Sequence, residues 1–357
     1  MTEAADLPWQ DLPTEITAEE LGQLAVGLRA PVAVTGASGF VGSHLAVALV
    51  RAGVRPRLLV RDSRRLVPEL AGRTELVAGS LEDGTALAAL VAGCGTVFHL
   101  AGLVRAGSAS GFDRANRLGT EQLVAACRAG AADAALVHVS SLAAAGPSPE
   151  PTGRQPEDAP APVSAYGRSK LAGEQAARQV GRWVVVRPPA VFGPRDTDVL
   201  QFFRLAARGL VPLPAGERWV TTAYVCDVVR ALLAAGSRNP WGRVLHVGDP
   251  RPMTMRGLIA ALAAAGGVRA RTVALPPVLL RGAGLVGDLL QRLGAHRVAL
   301  TSDKAGELLA RHWTARTEES MRLLGVPGSV PFGVAAVATW SWYREHGWLP
   351  RAKIADR

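Results

Sequence analysis

The chain has 357 residues, 48% of them hydrophobic, enough for one large α/β domain and a smaller lobe. Its net charge is +10, but Arg far outnumbers Lys and is spread along the chain without aromatic interleaving, which excludes a nucleic-acid module. Cys94, Cys127 and Cys226 lack metal-ligand spacing and are odd in number, so no metal site is assigned and reduced thiols in a cytoplasmic protein are expected.

Residues 1–30 form an acidic extension on a basic chain, with Glu3, Asp6, Asp11, Glu15, Glu19 and Glu20 set against Arg29. Thr17 can cap a helix whose third residue is Glu20, and Leu21, Leu24, Ala25 and Leu28 form its apolar face. The spacing predicts a helix docked on the body. The stretch has neither the basic start nor the apolar centre of a signal peptide.

Pro31-Val32-Ala33-Val34 predicts a strand, Thr35-Gly36-Ala37-Ser38-Gly39-Phe40-Val41-Gly42 a tight turn, and Ser43 to Val50 a helix. Gly36 suits a sharp turn, Gly39 close approach to a pyrophosphate, and Gly42 packing of helix on strand, while the helix start offers free N–H groups. Gly36, Ser38, Gly39, Phe40, Val41 and Gly42 are therefore the candidate dinucleotide contacts. Arg57 to Val60 predicts the second strand, and Arg61-Asp62-Ser63-Arg64-Arg65 falls where the adenosine ribose should lie. Arg61, with Arg64 and Arg65, suits a 2′-phosphate, so NADP is favoured over NAD; Asp62 would either repel that phosphate or pair with one of the arginines.

Thr96 to Gly102 and Ala135 to Ser141 are apolar runs of strand length separated by a helical stretch around Gln122 to Cys127. The alternation predicts a doubly wound α/β fold with a parallel sheet covered on both faces, its ligand end near Gly102 and Ser141. A Pro-rich surface loop is expected over 147–162. Beyond it Tyr166 and Lys170 share one helix face, where an ammonium near the phenol would lower the Tyr pKa for acid/base work, and Ser141 can position a substrate oxygen. His44, His99, His138 and His246 fall on core elements and are read as structural.

In order along the chain, TGASGFVG, His99-Leu100-Ala101-Gly102, Asn116-Arg117-Leu118-Gly119-Thr120, Ser140-Ser141 with Gly146, Tyr166 to Lys170, Arg187 to Pro194, and Tyr224 to Val228 resemble the motifs of the extended short-chain dehydrogenase/reductases, the NAD-dependent epimerase/dehydratase family. The resemblance spans Pro31 to Leu349. It implies a Rossmann domain over 31–190 and a smaller, discontinuous substrate lobe over 191–357, with segments near 220–250 returning to the first. It also implies Tyr166 as general acid/base, Lys170 as its partner and a holder of the nicotinamide ribose, and Ser141 rather than Ser140 on the substrate oxygen. Asn116 becomes a brace; Leu81, Ala101, Gly102 and Val191 become cofactor contacts; and the helices near 116–129 and 166–180 become a homodimer interface. Ser80 stands where the family has an adenine-contacting Asp. Ala145 and Phe192 stand where it has tyrosines, and are expected to make the substrate side more apolar.

Val220 occupies the place of an arginine that nucleotide-sugar members use on the diphosphate, although Arg218 could face the same side. Val273 to Leu280 and Leu285 to Leu293 are rich in aliphatics, suiting a lid over an apolar substrate, a membrane-surface element or a helix packed on the core; Arg281, Asp288, Arg292 and the glycines argue against a spanning helix. The resemblance lies closest to dihydroflavonol reductases and 3β-hydroxysteroid dehydrogenases, acting on an apolar ketone or secondary alcohol. A nucleotide-sugar epimerase or dehydratase is the alternative, and a non-catalytic cofactor-binding scaffold a remote one. Replacing Arg61 with Ala should weaken NADP binding by about tenfold or more and NAD binding little; calorimetric titration with both dinucleotides checks this, and equal weakening would remove Arg61 from the 2′-phosphate.

Overall fold

The computed structural model describes residues 15–293, 300–326 and 328–350. Glu3, Asp6 and Asp11 of the acidic extension lie outside them. In chain order come α1 (Ala18–Ala25), β1 (Val32–Thr35), α2 (Phe40–Arg51), β2 (Arg57–Val60), β3 (Glu75–Ala78), α3 (Gly84–Val91), β4 (Thr96–His99), the single turn α4 (Ala109–Phe112), α5 (Gly119–Gly130), β5 (Ala135–Val139), the single turn α6 (Leu142–Ala145), α7 (Ala165–Ala177) and β6 (Arg182–Arg187). The central β1, β4 and β5 are buried along their whole length because helices cover both sheet faces, so their sequences are apolar runs without alternation. Edge strand β3 is mostly exposed, although three of its four residues, Leu76, Val77 and Ala78, are apolar.

After β6 follow β7 (Ala190–Phe192), α8 (Leu200–Ala207), β8 (Leu210–Pro214), β9 (Trp219–Val220), β10 (Thr222–Tyr224), α9 (Val225–Ser237), β11 (Arg243–His246), β12 (Met253–Thr254), α10 (Met255–Ala265), β13 (Arg271–Leu275), α11 (Pro277–Arg292), α12 (Ser302–Leu309), β14 (His312–Trp313), α13 (Glu318–Leu323) and α14 (Phe332–Glu345). The main sheet has seven parallel strands in the order β11-β6-β5-β4-β1-β2-β3. This is a doubly wound Rossmann sheet, and its order reverses between β1 and β4, where the crevice for a ligand opens. β11 extends the sheet beyond β6, and Met321, Leu324 and Val326 join the first core from far along the chain.

A second core forms where α8, α10 and α14 meet. Phe203 contacts the rings of Trp340 and Tyr343 at 5.3 and 5.1 Å, and Trp340 Nε1 donates to the Leu262 carbonyl. Phe192 belongs to this core, buried against Tyr224 and Phe332, and Ala145 is buried with Leu142 and Ala315. The expectation that these two residues make the substrate side more apolar is therefore corrected: both face the interior. The Pro-rich segment is exposed over much of its length, as expected, yet it is anchored: the Arg154 guanidinium donates to the carbonyls of Pro147 and Ala159, and the Arg154 backbone bridges to Ala315.

At the N-terminal end, Thr17 Oγ1 accepts the Glu20 N–H at 3.2 Å, and Leu21 and Leu24 are buried against the first core. Glu20 bonds outward to Arg230 of α9 at 2.7 Å, and the same buried guanidinium holds Asp227 at 2.9 Å. Among the described residues no helix is long and apolar enough to cross a membrane. Truncating Leu24 to Ala should cost about 2–5 kcal/mol of stability, the range for a buried leucine, read by urea unfolding; a loss below about 0.5 kcal/mol would mean that α1 contributes nothing to the core.

Candidate active site

The turn between β1 and α2 is shaped by exclusion. Gly36 has φ +79°, and a Cβ there would lie 2.6 Å from the Ala101 nitrogen; one on Gly42 would lie 2.1 Å from the Gly36 carbonyl oxygen. No side chain caps the start of α2, whose leading N–H groups open beside exposed Ser38 and Gly39. A turn that needs glycine at 36 and 42, at a helix start without a side-chain cap, fits a pyrophosphate. His99 braces its floor: one ring nitrogen bonds Thr35 Oγ1 at 2.7 Å and the other Thr120 Oγ1 at 2.9 Å, while Thr35 Oγ1 also takes the Ala101 N–H. Burial brings the His99 pKa down to about 3, so the brace is neutral.

Beyond β2, Arg61 is exposed and Asp62 is engaged by its neighbour. Arg64 donates to both Asp62 oxygens at 2.9 and 3.0 Å and also gives its backbone N–H, holding that carboxyl below its usual range. Ser80 accepts the Glu82 N–H, and Leu81 packs under Gly119, where a Cβ would meet its methyl at 2.7 Å. Val191 lies on β7, partly buried between the two cores.

β5 delivers two serines with different partners. Ser140 Oγ donates to Glu174 at 2.5 Å in a buried cluster that Arg187 completes with two bonds of 2.8 Å. Ser141 caps α6 through the Ala143 N–H and is hydrogen-bonded to the Tyr166 hydroxyl. Lys170, one turn further along α7, donates Nζ to the Val139 carbonyl at 2.7 Å. Ser141, Tyr166 and Lys170 thus meet at the carboxyl end of β5. Asn116 sits in a π-helical stretch over Asp113–Leu118, a distortion frequent at functional sites. Its Oδ1 accepts the Leu103 N–H, and its Nδ2 donates to the Leu103 carbonyl and to Ser169. The loop carrying Gly102 is thereby tied to α7; a Cβ on Gly102 would lie 3.7 Å from Lys170 Nζ.

Several residues around this group carry no signal in the sequence. Phe112 stacks obliquely on Tyr166 at 5.7 Å between centroids, and Leu103 and Val104 are exposed on the loop after β4. Arg105 and Asp198 form an ion pair between that loop and the one following β7. Asp303 of α12 accepts the Ala165 N–H through both carboxylate oxygens, at 2.9 and 3.0 Å, capping the first turn of α7 beside Tyr166. The contacts of Phe112, Arg105 and Asp303 join segments far apart in the chain, which local patterning does not report.

The electrostatics differ from the expectation that Lys170 lowers the Tyr166 pKa. Burial pushes Tyr166 up to about 12; Ser141 opposes this, while the charges of Glu307 and Asp198 add to it. Lys170 is pulled down to about 8 by burial, with Glu174 resisting. Desolvation prevails because the ammonium is turned to the Val139 carbonyl and the phenol packs against Phe112. Arg218 does not reach the site as a free cation: it donates to the carbonyls of Pro214, Ala215, Gly216, Leu308 and Leu309. Among the described residues no group of His, Cys, Asp or Glu is arranged to hold a metal.

The Lys170 shift has a thermodynamic consequence. Between pH 8 and the ordinary 10.5 the unfolded chain keeps a proton that the folded chain has released, so stability rises with pH across that window. Lys170→Met removes this dependence. Its Tm relative to the parent, measured without cofactor, should be higher at pH 7.5 than at pH 10, and a constant difference would contradict the shift.

A model of the NAD dependent epimerase/dehydratase family matches residues 32–248. The chain is 34% identical over 336 residues to the ceramide reductase of Caulobacter vibrioides, covering 93% of this chain and all of that protein. It is 32% identical to the 4-hydroxy-2-methyl-3-oxo-4-farnesyl-3,4-dihydroquinoline-1-oxide ketoreductase of Stigmatella aurantiaca, over 83% of this chain and 92% of that one. Among solved structures, MoeE5 in complex with UDP-glucuronic acid and NAD is similar with a TM-score of 0.70 and 26% identity, over 88% of this chain and 99% of that one. The chain is an enzyme of the short-chain dehydrogenase/reductase kind and belongs to the NAD-dependent epimerase/dehydratase family.

Proposed function

We propose that the protein is an NADP-dependent reductase of a largely apolar ketone, with Tyr166 as its general acid. The observation that carries this is geometric: Ser141, Tyr166 and Lys170 meet at the carboxyl end of β5, with Phe112 against the phenol, and burial raises the Tyr166 pKa, so the phenol keeps the proton that a carbonyl oxygen would receive. The nicotinamide, when bound, supplies the hydride that reaches the carbonyl carbon. Ser141 hydrogen-bonds the carbonyl oxygen and orients it. As negative charge grows on that oxygen, Tyr166 gives it the phenolic proton, leaving an alcohol and a phenolate. The positive charge of Lys170 stabilises that phenolate, and its donors not used on Val139 are available to the nicotinamide ribose. Gly36, Ser38, Gly39, Phe40, Val41 and Gly42 would cradle the pyrophosphate, with Leu81, Ala101, Gly102 and Val191 along the rest of the dinucleotide.

The NADP preference is supported by exposed Arg61 and by the pairing of Asp62 with Arg64, which masks the carboxylate that would repel a 2′-phosphate. An apolar substrate is supported by Phe112 against Tyr166, by exposed Leu103 and Val104 at the rim, and by similarity to relatives named for ceramide and for a farnesyl-bearing ketone. The second lobe is assigned to substrate binding. The homodimer belongs to the same proposal, two copies meeting through the outer faces of α5 and α7. A nucleotide-sugar epimerase or dehydratase is the second candidate, favoured by the ligands of MoeE5 and disfavoured by the engagement of Arg218 with backbone carbonyls.

Oxidation of NADPH, followed at its nicotinamide absorbance against apolar ketones and nucleotide sugars with NADH in parallel, tests the proposal. Net oxidation with a ketone is expected, and Tyr166→Phe should lower turnover by about 100-fold or more while dinucleotide binding stays nearly unchanged. Interconversion of a nucleotide sugar without net oxidation would assign the second candidate instead.

A further inference from the structure

Helix α11 presents its apolar side to the outside. Val278, Leu279, Leu285, Val286, Leu289 and Leu290 are all exposed, Val278 at 69% and Leu285 at 65%, and at 3.6 residues per turn they cover an arc of about 140°. The inward side is fixed by other means. A Cβ on Gly284 would lie 3.0 Å from the Ser302 backbone, Asp288 Oδ1 accepts the Ser302 N–H, and Leu280 is buried. Close packing on α12 therefore turns the leucines outward, and no carboxylate interrupts their arc.

We propose that this face of α11 docks on the surface of an anionic lipid bilayer. Charge favours that occupant. Arg281 is exposed at the margin of the arc; Arg271 is exposed on β13, which leads into α11. Exposed Arg256 shares a depression with Thr272 and Val273, where Glu217 is the carboxylate, and the whole chain carries +10. Apolar side chains would enter the acyl boundary while the guanidinium groups meet the headgroups. Area disfavours a second copy of the chain: a 16-residue helix is about 24 Å long and about 10 Å across, so its outer face covers a few hundred Å², well short of the roughly 800 Å² per partner of a stable interface. Through α12, whose Asp303 caps α7 beside Tyr166, the docked face adjoins the mouth of the site. Delivery of a membrane-dissolved ketone to that mouth rests on the proposed reductase function; the docking itself does not.

Sedimentation of the full chain with sucrose-loaded vesicles, phosphatidylcholine alone or enriched in phosphatidylglycerol, tests the proposal. The protein should pellet with the anionic vesicles, and a Leu285→Glu, Leu289→Glu double variant should lose that binding by about tenfold or more, with Arg281→Glu weakening it less. These positions are exposed, so the variants should keep the parental Tm and turnover of a short, soluble ketone. Protein that stays in the supernatant, a double variant that pellets like its parent, or a double variant that splits a parental dimer while vesicle binding persists would each overturn the docking. Vesicle binding without reduction of any ketone would overturn the reductase function and leave the docking standing.

Discussion

The arrangement of this molecule depends on one buried carboxylate. Glu174 is fully buried, accepts a hydrogen bond from Ser140 at the end of β5, and is gripped by Arg187 at the end of β6. Tyr166, Lys170 and Glu174 recur every four residues on α7, so they share a face. Fixing Glu174 against two strands fixes the rotation of α7 and aims the other two side chains at the strand ends. A buried ion pair is weak evidence for net stability, because desolvation offsets much of its attraction. Its consequence here is geometric: the helix meets the sheet in one register.

Burial also sets the chemistry. A phenol surrounded by Phe112, the β5 end and nearby carboxylates favours its neutral form, and a buried ammonium is easily deprotonated. Burial therefore favours the phenol over the phenolate at Tyr166. The neutral histidine at position 99 performs a different task at the same depth. It links β1, β4 and α5 without adding charge beneath the dinucleotide cradle.

The segments after β7 are fastened to the parallel sheet and to one another at identifiable points. Asp303 caps α7, and Arg105 meets Asp198 on the loop after β7. Arg218 gathers the carbonyls of the β8–β9 turn and of α12. These contacts place α12, and α11 packed on it, beside Tyr166. The same packing turns Gly284 and Asp288 inward with Leu280 and leaves the other leucines of α11 outside, which inverts much of the usual amphipathic arrangement.

The fold was legible where residues act locally. Gly36, Gly39 and Gly42 mark the turn, Thr17 marks the start of α1, and the apolar runs at β1, β4 and β5 mark buried parallel strands, because backbone conformation and burial on both faces impose residue types directly. β3 was not read from the sequence: its apolar run, Leu76 to Ala78, is only three residues long, and as an edge strand it is left mostly exposed. The meeting of Ser141, Tyr166 and Lys170 could be expected only from the order of motifs, while Phe112, Arg105, Asp198 and Asp303 could not be expected at all. The sequence by itself determined the doubly wound sheet, the glycine cradle and the pairing of Tyr166 with Lys170 on one helix face, all properties of neighbours along the chain. Only the tertiary structure decided the state of that tyrosine, the inward burial of Ala145 and Phe192 and the outward turn of the α11 leucines. Desolvation and packing depend on what distant segments bring to a point in space, which the order of residues does not record.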